Sequence, residues 1–244
     1  MLRRELEYFF GAVRFFTRLP VPGWVGHSTE ALNRSARYFP AVGLLVGGIG
    51  ALVFLGAMQL WPQPVAVLLS MAATIYATGA FHEDGLTDSV DGLGGGWDKL
   101  RILEIMKDSR VGSYGVVAMV LALLGKFTLL SSLDAALVPY ALLAGHALSR
   151  FCATVLLATM DYVREDLLSK AKPLATRLSL GEMLVALAFV LGALALLPQE
   201  QAVAGCALAA LATFWLARKF RRWLGGYTGD CLGDVQQVSE IAFY

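Results

Sequence analysis

The residues best suited to chemistry stand between positions 79 and 115, in GAFHEDGLTDSVDGLGGGWDKLRILEIMKDSRVGSYG. Asp84, Asp88 and Asp91 fall at i, i+4 and i+7, just after His82. On a helix that spacing sets three carboxylates in one stripe. Three acids on one face repel one another unless a cation neutralises them. Carboxylate oxygens without soft donors suit Mg²⁺ or Mn²⁺, and Mg²⁺ commonly shares its shell between carboxylates and substrate phosphates. A solvated acidic loop explains the charge but not Gly85, Gly92, Gly94, Gly95 and Gly96. Glycine at that density implies a backbone that must come close to something, and a nucleotide is the expected guest.

A second group follows directly. Glu104 and Asp108 are again four residues apart, with Lys107 and Arg110 on another face of the same helix and Gly112 just beyond. Alone, this would read as an ion-pair network on an amphipathic helix. Beside the aspartates, it becomes acids for a metal next to cations for phosphate. That set suits phosphoryl transfer, where catalysis is mainly positioning and charge neutralisation. A third group lies in the tail, GGYTGDCLGD over 225–234. Backbone amides around Thr228 and Gly229 could cradle a phosphate, and Asp230 could hold a metal or a hydroxyl.

The elements that carry these groups are apolar. The chain has 244 residues, 57% hydrophobic and 16% charged, and a mean hydropathy of +0.62. A soluble domain carries about 25% charged residues. The composition implies an all-α, polytopic integral membrane protein forming a single domain over 1–244. Six segments have the length and apolarity to cross a bilayer, near 39–60, 64–81, 114–132, 136–160, 179–197 and 202–217. Gly43, Gly47 and Gly50 would let helices approach closely. Leu6, Phe9, Phe10, Val13 and Phe16 recur at helical spacing near the N-terminus, which predicts an interfacial helix or one packed on the bundle.

All but two of the twenty Lys and Arg residues lie in the N-terminal arm, the 82–113 interval, the 161–178 loop and the tail from Arg218. With six spans these four segments are read as loops and chain ends, the 82–113 loop and the tail carrying the catalytic groups; they share one face, and the positive-inside rule makes it cytoplasmic, with both termini on that side. The second loop carries Arg164, Lys170 and Lys172, a basic run that reads as an anchor to anionic headgroups. The two cations inside spans are Lys126, expected to snorkel, and Arg150. His146 stands one turn before Arg150, which would either contact an anionic substrate or pair with an inward acid. The net charge of +1 offers no field for nucleic acid, and Cys152, Cys206 and Cys231 support neither a disulfide framework nor a zinc site.

These residues sit in longer strings that resemble the cobalamin synthase family, the adenosylcobinamide-GDP ribazoletransferases. The strings are FFTRLPVP at 15–22, RYFPAVG at 37–43, FHEDGLTDSVDG at 81–92, EIMKDSRVGSYG at 104–115 and GGYTGDCLG at 225–233. The resemblance implies a Mg²⁺-dependent enzyme of the cell (inner) membrane. It would join adenosylcobinamide-GDP to α-ribazole or its 5′-phosphate and release GMP. On that basis Asp84, Asp88, Asp91, Glu104 and Asp108 are expected at the metal. Lys107, Arg110, Gly112, Arg150, Thr228 and Gly229 are expected at substrate or phosphate. His82 or a metal-bound aspartate would be the base, and Asp230 would orient the nucleophile. A homo-oligomer, or an assembly with other cobamide-assembly enzymes, is left open.

Two other classes compete. CDP-alcohol phosphotransferases also use an Asp-x-x-Asp-Gly fragment at the membrane edge, which Asp88, Asp91 and Gly92 satisfy, but the Ala-Arg that should follow is absent. A transporter would explain Lys126, His146 and Arg150 within spans, but most acids lie outside them and no inverted repeat is visible.

Overall fold

The computed structural model describes residues 2–26, 29–163 and 178–244, and among them the chain forms eleven α-helices and no strand. Arg164, Lys170 and Lys172 of the basic loop lie outside the described residues. The helices are α1 (Leu2–Phe16), α2 (Thr29–Ser35), α3 (Phe39–Ala57), α4 (Gln63–Thr78), α5 (Phe81–Gly95), α6 (Lys99–Lys107), α7 (Ser113–Ser132), α8 (Val138–Thr159), α9 (Leu180–Leu194), α10 (Gln199–Leu224) and α11 (Gly229–Phe243). Proline in the first turn starts α3, α4 and α8, where its missing N–H is no loss. A Ser179–Glu182 capping box starts α9, and Glu182 also reaches Arg37 at 2.6 Å.

The six expected spans all fall on helices, but of unequal kind. Residues 31–57, α7, α8 and α10 are long and apolar enough to cross a membrane. Helix α9 has 15 residues, or about 22 Å at 1.5 Å per residue, short of a hydrocarbon core of about 30 Å. Helix α4 has 16 residues and is continued by α5 through an 86° bend. The bend comes from two successive left-handed residues, Gly79 (φ 68°) and Ala80 (φ 58°). Ala80 carries a Cβ there, at a cost of about 1–2 kcal/mol. The N-terminal arm braces the corner: the Arg18 amide donates to Ala77 at 2.8 Å, and the Arg18 guanidinium lies against Gly79.

The centre is α8. Gly43 and Gly47 of α3 press onto its backbone, so a Cβ at Gly47 would stand 2.6 Å from the Leu142 carbonyl. That is the close packing expected from the small residues. Outward-facing Leu52, Leu55, Leu68, Val117, Leu121, Leu124, Leu208 and Leu211 are exposed. An apolar belt of that extent is stable only against lipid. Helix α1 divides: Ala12, Val13 and Phe16 are buried on the bundle, whereas Leu2 and Leu6 face outward.

Three expectations are corrected. The 82–113 interval is not a loop. It is α5 and α6, and α5 buries one face. The tail is not a loop either; from Gly229 onward it is a helix threaded into the bundle. Lys126 does not snorkel, because α11 brings it a partner. Glu240, fully buried, pairs with Lys126, receives Gln236 Nε2 at 2.5 Å and Tyr244 Oη at 3.1 Å, and stands 3.1 Å from His146 Nδ1. One carboxylate thus ties α7, α8 and α11 together. Gln237 extends the network to α5 by donating to Glu83 at 3.1 Å. Removing one member of a buried ion pair leaves the other charge stranded, at about 3–5 kcal/mol. Glu240→Gln should therefore lower the thermal unfolding midpoint in detergent substantially; an unchanged midpoint would contradict the anchoring role.

Candidate active site

A cavity of about 300 Å³ opens where α1, α5, α8 and α11 meet. Its position follows from three local features. The Gly79–Ala80 corner turns α5 across the bundle. Gly85 of α5 then faces Gly233 of α11, so closely that a Cβ on Gly85 would stand 3.0 Å from the Gly233 Cα and 2.9 Å from the Asp230 carbonyl. Finally, Thr228 Oγ accepts from the Cys231 amide at 3.3 Å and starts α11. Just before that cap, Tyr227 pairs with Tyr162. The Tyr227 amide donates to Asp161 at 2.9 Å, and the Val163 amide donates back to Tyr227 at 3.0 Å.

His82, Asp84, Arg150, Gly229 and Asp230 all line this cavity, as does Gln236. The arm, the 79–115 stretch, the end of α8 and the tail therefore converge, although they are far apart in sequence. Arg150 is buried, and its Nη1 donates to the His146 carbonyl at 3.0 Å. Of the two alternatives for Arg150, no direct ion pair with an acid is present among the described residues; it faces the cavity instead. Burial pushes the Tyr227 hydroxyl up to about 12, so it stays neutral.

The second predicted group forms a separate hollow. Asp91, Glu104, Asp108, Arg110 and Gly112 line an open depression of about 500 Å³. Glu104 pairs with Arg101 at 2.7 Å, and Asp108 pairs with Arg110 at 2.6 Å. The hydrogen bonds from Arg110 hold the Asp108 carboxyl down at about 2. Lys107 is exposed at the end of α6, and Thr228 is buried as the cap of α11.

The aspartate stripe is real but divided. Asp84 is exposed to the cavity, Asp88 is half-buried and Asp91 is buried. Seven residues along a helix span about 10 Å, too far for Asp84 and Asp91 to share one ion. Asp91 instead accepts from the Gly112 amide at 2.7 Å and the Gly115 amide at 2.8 Å, capping the start of α7. The glycines likewise serve close packing: Gly92 meets Met106, Gly94 meets Tyr114 and Gly96 meets Ile102. Gly85 and Gly95, by contrast, line the two hollows.

Among the described residues no three His, Cys, Asp or Glu side chains form a ready metal cage. Mg²⁺ does not require one, since it commonly takes one or two carboxylates and completes its shell with water and phosphate. Asp84 and Asp230, hard oxygen donors from two helices on one cavity, fit that need. The aromatic residues of the cavity and Glu240 were not among the predicted site residues. The available signal was position, because Phe15, Phe16, Phe81 and Tyr227 sit inside the strings that carried the resemblance.

Residues 8–244 match the family described as cobalamin-5-phosphate synthase. The chain belongs to this family. Relatives named adenosylcobinamide-GDP ribazoletransferase include that of Shewanella amazonensis, 49% identical and covering 99% of this chain and 95% of the relative. That of Polaromonas sp. is 47% identical, covering 98% and 94%, and that of Shewanella woodyi is 46% identical, covering 100% and 96%. No solved structure matches the chain.

Two predictions follow from the geometry. Asp91→Asn can accept from only one of the two amides and should cost about 1–3 kcal/mol of stability. An unchanged unfolding midpoint would contradict the capping role. Burial also pushes the Asp234 carboxyl up to about 7, against about 3.9 when unfolded. A raised carboxyl contributes stability fully below the unfolded value and loses it as pH rises through the folded one. Unfolding midpoints should therefore fall from about pH 4 to about pH 7, and Asp234→Asn should flatten that slope. An identical slope in the variant would contradict the assignment.

Proposed function

We propose that this chain joins adenosylcobinamide-GDP to α-ribazole, or to α-ribazole 5′-phosphate, and releases GMP. The observation that carries the reading is the meeting of Asp84 and Asp230, from two separate family strings, on one cavity with Arg150. The relatives named above are ribazoletransferases over nearly their whole length. The reaction takes place at the cytoplasmic face of the cell membrane. Supporting this side, the cavity draws on all four segments that hold the Lys and Arg residues outside the spans.

A secondary ribose hydroxyl of α-ribazole, free in both acceptors because the 5′ position keeps its phosphate in the phosphorylated one, attacks the phosphorus attached to cobinamide. The bond from that phosphorus to the bridging oxygen of the pyrophosphate breaks, and GMP leaves with that oxygen. The hydroxyl proton passes to a carboxylate of the cavity, Asp84 or Asp230, which stands beside the reacting oxygen. Mg²⁺ held by these carboxylates would neutralise charge on the pyrophosphate and its leaving group. Arg150 supplies a fixed positive charge that needs no reorganisation during the reaction. Arg110, at the neighbouring hollow, and Lys107, exposed at the end of α6, steady the phosphate on the guanosine side. The product is adenosylcobalamin, or its 5′-phosphate when the phosphorylated nucleoside is used.

The test is an incubation of the purified protein in detergent with adenosylcobinamide-GDP, α-ribazole and Mg²⁺. Cobamide and GMP should appear in equal amounts, and EDTA should stop both. Asp84→Asn should lower kcat at least about a hundredfold while the protein still inserts into the membrane. No cobamide in the presence of active controls would overturn the reading.

A further inference from the structure

The cavity beside Asp84 and Asp230 is walled mainly by aromatic rings. Phe15 and Phe16 come from α1, Phe39 from the start of α3, Phe81 from α5, and Tyr162 and Tyr227 from the paired segments. The Phe16 ring lies nearly parallel to His82 at 5.4 Å, and Phe81 stands edge-on to both. Rings that pack a core fill their own space. These surround a volume of about 300 Å³, which is the small end of ligand pockets.

The lining also holds polar atoms that nothing in the protein answers. Nε2 of His82, Nε of Arg150 and the hydroxyl of Tyr227 are all buried without a hydrogen-bond partner. Such atoms are rare in folded proteins because each carries an uncompensated desolvation cost. Three on one cavity call for a guest that is flat, largely apolar and equipped with few polar atoms. The Arg150 N–H and the Tyr227 O–H can donate, as can Nε2 of His82 in one tautomer, so a ring nitrogen acceptor would satisfy one of them.

We infer that this cavity seats the planar aromatic base of the acceptor nucleoside, with its ribose toward Asp84 and Asp230. The inference rests on the function proposed above and deepens it. A benzimidazole-type base offers two apolar faces for stacking and one ring nitrogen acceptor. Guanine shares the flat shape but carries an amide edge that the phenylalanine wall would leave unpaired. Stacking of the base places the ribose, with its reacting secondary hydroxyl, on the carboxylate side, where the proton must go. The guanosine end of the other substrate then lies outside this cavity, so the two substrates approach the carboxylates from different sides.

The experiment measures KM for each substrate separately in two variants. Tyr227→Phe removes one oxygen and should raise KM for α-ribazole roughly fivefold. Phe81→Ala removes one wall at a partly exposed position and should raise it about tenfold. In both, KM for adenosylcobinamide-GDP should stay unchanged. A rise confined to adenosylcobinamide-GDP would assign the cavity to guanine and overturn the inference. An equal rise for both substrates, or no rise in an active Tyr227→Phe enzyme, would overturn it as well. An unaltered protein with no transferase activity overturns the proposed function and this inference together.

Discussion

The charge of Glu240 is the constraint around which the bundle closes. A carboxylate with no exposure, inside helices meant for lipid, must find its partners within the protein. It finds them on α7 as Lys126, on α8 as His146 and on its own helix as Gln236 and Tyr244. A shift of α11 along its axis would separate Glu240 from both Lys126 and His146. Buried polar networks are costly when incomplete, so this one selects a single placement for the helix.

That placement determines the site. With α11 held at its far end by Glu240, its first turn lies across α5, and Gly233 meets Gly85 backbone to backbone. The same geometry sets Asp230 and Asp84 on one cavity. The left-handed corner at Gly79 and Ala80 supplies the other half, since a straight α4–α5 helix would carry Asp84 away from the tail. The strain at Ala80 is small beside the packing of α5 against α11, α7 and α6. Structure and reaction meet in this arrangement: two carboxylates on crossing helices, a buried arginine behind them and an aromatic chamber beside them.

Much of this was legible in the residues, for physical reasons. Apolar stretches of about twenty residues announce helices in lipid because backbone groups have no other partner there. Gly43 and Gly47 announced a close helix contact, and α8 provides it. The convergence of the arm, the aspartate stretch and the tail followed from the distribution of Lys and Arg. What could not be read was tertiary. The spacing of Asp84 and Asp91 is equally good for a ligand pair and for a carboxylate that caps another helix, and only the position of α7 decides between them. Lys126 looked like a snorkelling cation because its partner lies far along the chain in a tail whose polarity suggested a loop. The glycines after Gly85 signalled close approach, and at Gly92, Gly94 and Gly96 the approaching groups belong to α6 and α7.

The contact of Gly233 with Gly85 is where the architecture and the chemistry are hardest to separate, and it can be tested alone. A Cβ on Gly233 would stand 3.0 Å from both the Gly85 Cα and the His82 carbonyl, and backbone cannot step aside as a flexible side chain could. The decisive measurement is kcat of Gly233→Val in membranes where its insertion and amount match the unaltered protein. The account predicts a loss of at least about tenfold, because misplacing a catalytic group by an ångström is enough. Turnover equal to that of the unaltered protein would contradict it.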